Sequence, residues 1–327
     1  MKFLYKKNAI LTILLILFSA HSFSQNTIHY PSKPIRLIIP YAPGGSTSSI
    51  GRIYAQKLSE AWGHNILLEN IPGGNTIIGS QVLVRAPADG YTLLLITNSH
   101  TVNPLLIKNL PYDTIRDFTS VSPISRSEYM LGIHPSVPTN NLKDFINLAK
   151  EKPNQLNSAT VGTGTVQHLV HELFCNMAGL KIVQIPYKGG GPAMLDLIGG
   201  QVQMSFNNLN NLSPHVKIKK VRGLALAGEV RNQALPEMPT FAEAGMPGFL
   251  ASNWFAVMAP AGTPQEIIQK INTEIKKIHL MSDVKDILNK QGIEPFWLNT
   301  QQLDALIRSD LDKYAKIIKI SKISITP

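Results

Sequence analysis

One cysteine, Cys175, stands in 327 residues. That excludes an internal disulfide and any dithiol chemistry, and no cysteine near residues 20–25 could carry a lipid anchor. Acids are few, 21 against 31 lysines and arginines, and none near the glycine-rich segments is paired as general acid–base work requires. A Gly-x-Ser-x-Gly nucleophile elbow is lacking. So are the His-Glu-x-x-His zinc arrangement, the Lys-Ser/Thr of a P-loop and the Rossmann glycine spacing. The N-terminal apolar stretch Ala9–Phe18 is about half the ~20 residues of a bilayer span. The formal net charge of +10 is spread along the chain. Its nearest approach to a patch, "KIKKVRG" (217–223), reads as a solvated turn, so no nucleic-acid partner is expected.

What is present begins with a leader. Lys2, Lys6 and Lys7 precede the apolar stretch, and small residues follow at Ser19, Ala20, Ser22 and Ser24. This is the pattern of a Sec-type signal peptide over residues 1–24, with an uncleaved anchor as the other reading. Removing those lysines leaves +7 of the +10, a surface suited to anionic ligands or an anionic membrane face.

About 300 residues remain, more than one compact core usually holds, so two lobes are expected. "IRLIIPY" (35–41) is a continuous apolar run that fits a strand buried on both faces. Residues 49–63 have helical spacing and end at Gly63. "NILLEN", "TIIGSQVLVRAP" and "YTLLLITN" continue as strand, helix and strand, the signature of a parallel sheet with helices on its faces. The alternation restarts at "NLKDFINLAKEKP", with Asn141 as N-cap, and runs to "VRGLALAG". The tail is helical. It opens at Thr263-Pro264-Gln265-Glu266, read as a capping box with proline at the first helical position, and two further helices are each given a hydroxyl N-cap. Joints fall around 118–126 and 251–262. If the tail packs back on the first unit, two crossings form a hinge and the interlobe cleft becomes the ligand site.

The segment "IPYAPGGSTSS" ends a buried strand and opens a helix. Gly44 and Gly45 let backbone approach a ligand, and Ser46, Thr47 and Ser48 offer hydroxyls. The first amides of such a helix lack intrahelical partners and suit a carboxylate or phosphate. Taken alone, a capped turn without a ligand fits as well. "ATVGTGTVQHL" repeats the design with Gly162, Thr163, Gly164 and Thr165, so two mouths could grip a dianion or one carboxylate from both sides. "PYKGGGPAM" adds a third mouth at Gly190, near Lys188. His168 and His171 share a helix face, but no third metal ligand accompanies them; they read as one cap contact and one surface histidine. Tyr41, Trp254 and Phe255 are either ligand-facing or hinge packing, and Cys175 is a buried helix residue.

These segments carry a resemblance. "YPSKPIRLIIPYAPGGST", "ENIPGGNTIIG", "APADGYTLL", "NLPYDTIRDFTSVSPI", "GTGTVQHL", "PYKGGGPAMLDLIGGQVQ", "LPEMPTFAEAGMPGF" and "WFAVMAPAGTP" occur in order across essentially the whole mature chain. The chain resembles the tripartite tricarboxylate transporter substrate-binding proteins, also called the Bug family. That resemblance implies an α/β, two-lobed periplasmic-binding-protein fold of Venus-flytrap type in a Gram-negative periplasm. One lobe would comprise 25–122 and 253–327, the other 123–252. It implies no enzyme, cofactor or metal, and a monomer that delivers a small carboxylate to a permease of one large and one small membrane subunit. The loops Tyr41 to Ser48 and Gly162 to His168 would contact the ligand. The full candidate set is Tyr41, Pro43, Gly44, Gly45, Ser46, Thr47, Ser48, Thr97, Asn98, Gly162, Thr163, Gly164, Thr165, His168, Gly190 and Asn207.

Two positions depart from the family's habit. Ser48 stands where the family usually has Asp, and Asn207 where Asp is frequent, which implies a ligand without an ammonium group. The same fold serving as a ligand sensor is the first alternative. An enzyme using helix-mouth amides as an anion hole is the second.

Overall fold

The computed structural model describes residues 29–321, and its fold belongs to the compact unit that begins at Pro31. The expected leader lies outside the described residues. The first lobe opens with β1 (Ile35–Ile39), α1 (Ser46–Trp62), β2 (Ile66–Asn70), α2 (Ile77–Val84), β3 (Thr92–Thr97) and α3 (Ser99–Leu106). A long strand, β4 (Phe118–Ile133), leads away to the second. There follow α4 (Leu142–Glu151), β5 (Asn157–Thr160), α5 (Val166–Ala178), β6 (Val183–Pro186), α6 (Gly190–Ile198), β7 (Met204–Asn208), α7 (Leu209–Lys217) and β8 (Arg222–Leu226). The chain returns through β9 (Ser252–Pro260) to α8 (Gln265–Leu280), α9 (Ser282–Lys290), β10 (Glu294–Pro295) and α10 (Thr300–Ser321).

The apolar run of β1 lies between two parallel neighbours, β2 and β3, which is why it needs no alternation. The sheet path is β2-β1-β3-β9-β4-β7-β5-β6. Within it β4 changes partner: Phe118 to Glu128 face β9, whereas Tyr129 to Ile133 face β7 and β8. The register shifts near Ser120 and Pro123, the second where a proline cannot donate to the ladder. Each lobe has its own core. Ile38, Leu94, Ile96, Trp254 and Leu303 pack in one; Phe145, Phe174, Phe206, Phe241 and Phe249 pack in the other.

The tail does return: α8 packs on α1 and β4, and α10 packs on α3, α5 and β4. Joint segments expected as connections are the long strands β4 and β9. Helices α3 and α7 escape a periodicity reading because each contains a proline, Pro104 and Pro214. Capping also differs. Asn141 caps α4 as expected, accepting from the Asp144 amide at 2.9 Å. Thr263 is not a cap, because its hydroxyl turns back to the Pro260 carbonyl at 2.8 Å and α8 follows Pro264. Ahead of α10 the cap is Asn299 rather than a hydroxyl, in a reciprocal pair with Gln302 (2.9 and 3.0 Å). Met281, likewise, precedes α9 without a side-chain cap.

Candidate functional site

Six residues separate the end of β1 from the start of helix α1, at the carboxyl edge of the parallel strands, where open α/β sheets bind ligands. It lies close against the sheet because residue 51 is glycine: a Cβ there would meet Leu95 at 3.0 Å and Ile39 at 3.1 Å. Its N-cap is Gly45, with no side-chain cap and no acid in the first turn. The amides of Ser46, Thr47 and Ser48 therefore lack intrahelical acceptors and carry the positive end of the dipole.

These groups face a cavity of about 420 Å³ including its mouth. From the first lobe it is lined by Tyr41, Ala42, Gly45, Ser46, Thr47, Ser48, Thr97, Ser99 and Asn253. The second lobe contributes Tyr129, Val161, Gln167, Gly190, Asn207 and Asn208. Among the described residues no charged side chain lines it.

The lining is held by a hydrogen-bonded frame. Asn70 donates to the Tyr41 carbonyl at 2.8 Å and to Ser48 Oγ at 2.9 Å, leaving the Ser48 hydroxyl proton directed elsewhere. Tyr41 Oη and Thr97 Oγ1 lie 2.8 Å apart, and Thr97 Oγ1 also accepts from the Ser99 amide at 3.2 Å. Burial raises the Tyr41 pKa, partly offset by its bonds to Thr97 and Ser99, and burial raises that of Tyr129 as well. Both phenols remain protonated donors. Gln167 is fixed by the Phe206 carbonyl and the Val161 amide. Asn208 donates to the Ser127 carbonyl at 3.3 Å and accepts from Asn253 at 3.3 Å. Ser46 Oγ, Asn207 Nδ2 and Asn253 Oδ1 are buried with no hydrogen-bond partner among the described residues.

The lobes touch around this cavity. The Ala42 amide donates to the Lys188 carbonyl at 3.0 Å, the Val166 amide to Ser99 Oγ at 3.1 Å, and Asn210 Nδ2 to Ser49 Oγ at 3.2 Å. Opposite the mouth of α1 stands that of α6, whose N-cap Gly189 likewise offers no side-chain cap.

Of the candidate set, Tyr41, Gly45, Ser46, Thr47, Ser48, Thr97, Gly190 and Asn207 line the cavity; Pro43 and Gly44 stand just outside, in the seam with Gly191. Asn98 does not reach it: its Nδ2 donates to the Ser252 carbonyl and to Tyr314 Oη at 3.0 and 2.9 Å. Of the expected second mouth, Gly162 to His168, Gln167 lines the cavity, whereas the candidates Gly162, Thr163, Gly164, Thr165 and His168 do not. Three of its amides are already bonded: that of Gly164 by His168 Nδ1 (3.0 Å), that of His168 by Thr165 Oγ1 (3.3 Å) and that of Val166 by Ser99 Oγ of the other lobe. Gly162 borders a neighbouring cavity with Lys188, and Thr163 lines neither. His171 is not a surface residue: it is buried beside Cys175 Sγ at 3.6 Å, and burial pushes its pKa down to about 4. Trp254 and Phe255 are buried packing, with Trp254 donating to Asp310 at 2.8 Å. Sequence reasoning missed Ser99, Asn208 and Asn253, which carry no glycine signature, and did not single out Gln167 within the expected loop Gly162 to His168.

Among the described residues no helix is long and apolar enough to cross a membrane, and no cluster of three or more His, Cys, Asp or Glu could hold a metal.

Comparison with known proteins places this geometry in context. The family model described as "Tripartite tricarboxylate transporter family receptor" matches residues 50–323. Protein BugT of Bordetella pertussis is 34% identical over 292 residues, covering 89% of this chain and 90% of its own. A solved structure described as a periplasmic transporter is 35% identical, with a TM-score of 0.87 over 90% of this chain and 99% of its own. The R. palustris protein Rpa4515, solved with adipate, is 32% identical, with a TM-score of 0.88 and the same two coverages, 90% and 99%.

Proposed function

We propose a function that proceeds from kinship, for the chain belongs to the tripartite tricarboxylate transporter receptor family and is a solute-binding receptor. Its ligand is a small carboxylate, a di- or tricarboxylate or an aromatic acid, taken into the interlobe cavity without bond chemistry. It works in the periplasm as a monomer and delivers its load to a permease of one large and one small membrane subunit. The observation that carries this reading is the cavity lining: an uncapped helix N-terminus, hydroxyls and amides, with no charged side chain.

Such a lining favours an anion held by neutral donors, because amides aimed at a carboxylate in a site shielded from water make strong charge-assisted bonds. An ammonium group finds no carboxylate there. Ser48 and Asn207 both present donors, so ligands without an ammonium group are selected. The adipate bound by Rpa4515 agrees with this class. The lobe boundaries belong to the same proposal, and the partner change of β4 after Glu128 favours a first crossing near residue 128 rather than 122.

Native mass spectrometry of the freshly purified protein, followed by calorimetric titration with plain carboxylic acids and with aspartate and glutamate, tests the reading. A carboxylic acid should be carried through purification or bind tightly. Tight binding of the amino acids, with none of the plain acids, overturns it.

A further inference from the structure

Behind the hinge lies a larger cavity, about 1060 Å³ including its mouth, that shares no residue with the first. Both crossings line it, through Arg126, Ser127 and Glu128 of β4 and through Leu250, Ala251 and Ser252 leading into β9. Neighbouring residues on a strand point to opposite faces. Tyr129 and Asn253 accordingly turn to the interlobe cavity, while Glu128 and Ser252 turn to this one. Its walls come from both lobes: Gly292, Glu294 and Lys313 from the first, Glu229, Val230 and Asn232 from the second.

On a chain of net charge +10, this cavity sets three carboxylates, Glu128, Glu229 and Glu294, against two cations, Arg126 and Lys313. Arg126 is already taken, by a two-pronged bond to Glu294 (2.7 Å each), and Lys313 Nζ lies 5.5 Å from the centre of the Tyr314 ring. Glu128 is left over. It is half-buried, and among the described residues its carboxylate accepts one long bond only, from Asn232 Nδ2 at 3.4 Å. Desolvation raises its pKa, against the weaker pull of that bond. A desolvated carboxylate without a cation is a group that a positively charged ligand compensates. Beside it the wall turns apolar. Val230 and Leu250 are 70% and 49% exposed, and Leu250 also borders a groove between α5 and α10 lined by Leu169, Leu173 and Ile317.

We propose that this cavity is a second binding site, for a small organic cation: an ammonium or guanidinium group on Glu128, with a short apolar chain running past Leu250 into the groove. The site is independent of the carboxylate reading; its effect on the acid rests on that reading. The walls have this spacing while the lobes touch around the interlobe cavity, so a cation that fits between them holds that arrangement. Asn208 links the two sites, lining the first and donating to the Ser127 carbonyl of the second at 3.3 Å. By linkage, cation and acid each raise the other's affinity by the same factor.

Calorimetric titration of the whole mature protein at neutral pH tests this, with hexylammonium as the probe and hexanol as its neutral counterpart. Hexylammonium should bind one-to-one, and hexanol at least about tenfold more weakly, as loss of a bond to a charged group implies. Glu128→Gln keeps the side chain's size and should weaken hexylammonium by a similar factor while leaving hexanol unchanged. Leu250→Lys sets a cation on the apolar wall and should weaken both probes. Melting temperatures near the natural value show that the variants fold. In saturating hexylammonium, adipate should bind the natural protein about fivefold or more tightly than without it, and Glu128→Gln should lose that gain.

Failure of hexylammonium to bind, equal binding of hexanol, displacement of hexylammonium by adipate, or binding that Glu128→Gln leaves intact overturns the site. Binding at Glu128 with adipate affinity unmoved establishes the site and overturns its coupling to the acid. If neither adipate nor any other plain acid binds, the carboxylate reading falls, and the hexylammonium titrations still decide the site.

Discussion

At the scale of single residues, burial decides which side chains are available for chemistry. His100 lies between the Tyr112 and Phe118 rings and, among the described residues, its one hydrogen bond is with the Thr114 carbonyl, at 3.4 Å. Desolvation lowers its pKa to about 4, against a weaker opposing effect of that carbonyl. It is neutral in the fold, while the unfolded chain titrates near the ordinary histidine value of about 6.5. Stability from this group is therefore whole above about pH 6.5 and is lost as pH falls toward 4, on the order of 3 kcal/mol at the acid end. Buried His279 is shifted the same way. Denaturant titrations from pH 7.5 to 4.5 should show this loss, and His100→Gln should flatten the slope by about one proton. An unchanged slope assigns the acid sensitivity elsewhere.

At the scale of elements, the clearest device is glycine against glycine. Residues 189–191 before and within α6 press on residues 42–45 before α1, backbone to backbone. A Cβ on Gly191 would stand 2.1 Å from the Pro43 carbonyl oxygen, too close for any local adjustment, while the helix itself would gain from alanine. Gly191→Ala should therefore leave the melting temperature of the free protein near its natural value. Its ligand affinity should fall by at least about tenfold, because the closed state is penalised by overpacking. Calorimetry with the solute and circular dichroism separate the two effects. Natural affinity in the variant contradicts the closed seam described above.

At the scale of the whole molecule, α10 ties the lobes together. Tyr314, from the last helix of the first lobe, is 5% exposed within the core of the second. Its hydroxyl accepts from Asn98, which also holds Ser252 at the start of β9. One side chain thus joins the tail, the end of β3 and the returning crossing. Tyr314→Phe removes the hydroxyl alone and should cost about 1 kcal/mol. Tyr314→Ala removes the ring too and should cost about 3–5 kcal/mol. Urea unfolding of both variants reads the difference; equal losses place all the stabilisation in the hydrogen bond.

Much was legible in the chain alone. Apolar runs such as that of β1, the glycine-hydroxyl turn into α1 and the alternation of strand and helix are local patterns, because hydrophobic period and capping act within a few residues. They determined the α/β class, the first jaw and the family resemblance. The choice of the second jaw was not local. "GTGTVQH" and "GGGPAM" both look like open helix mouths, but Thr165, His168 and Ser99 satisfy the first, and Ser99 arrives from the other lobe. Asn208 and Asn253 reach the cavity only because β7 and β9 each pair with β4, on either side of its change of partner. Hydrogen-bond satisfaction is a property of groups distant in sequence and near in space, so only the tertiary structure could decide which donors were left free.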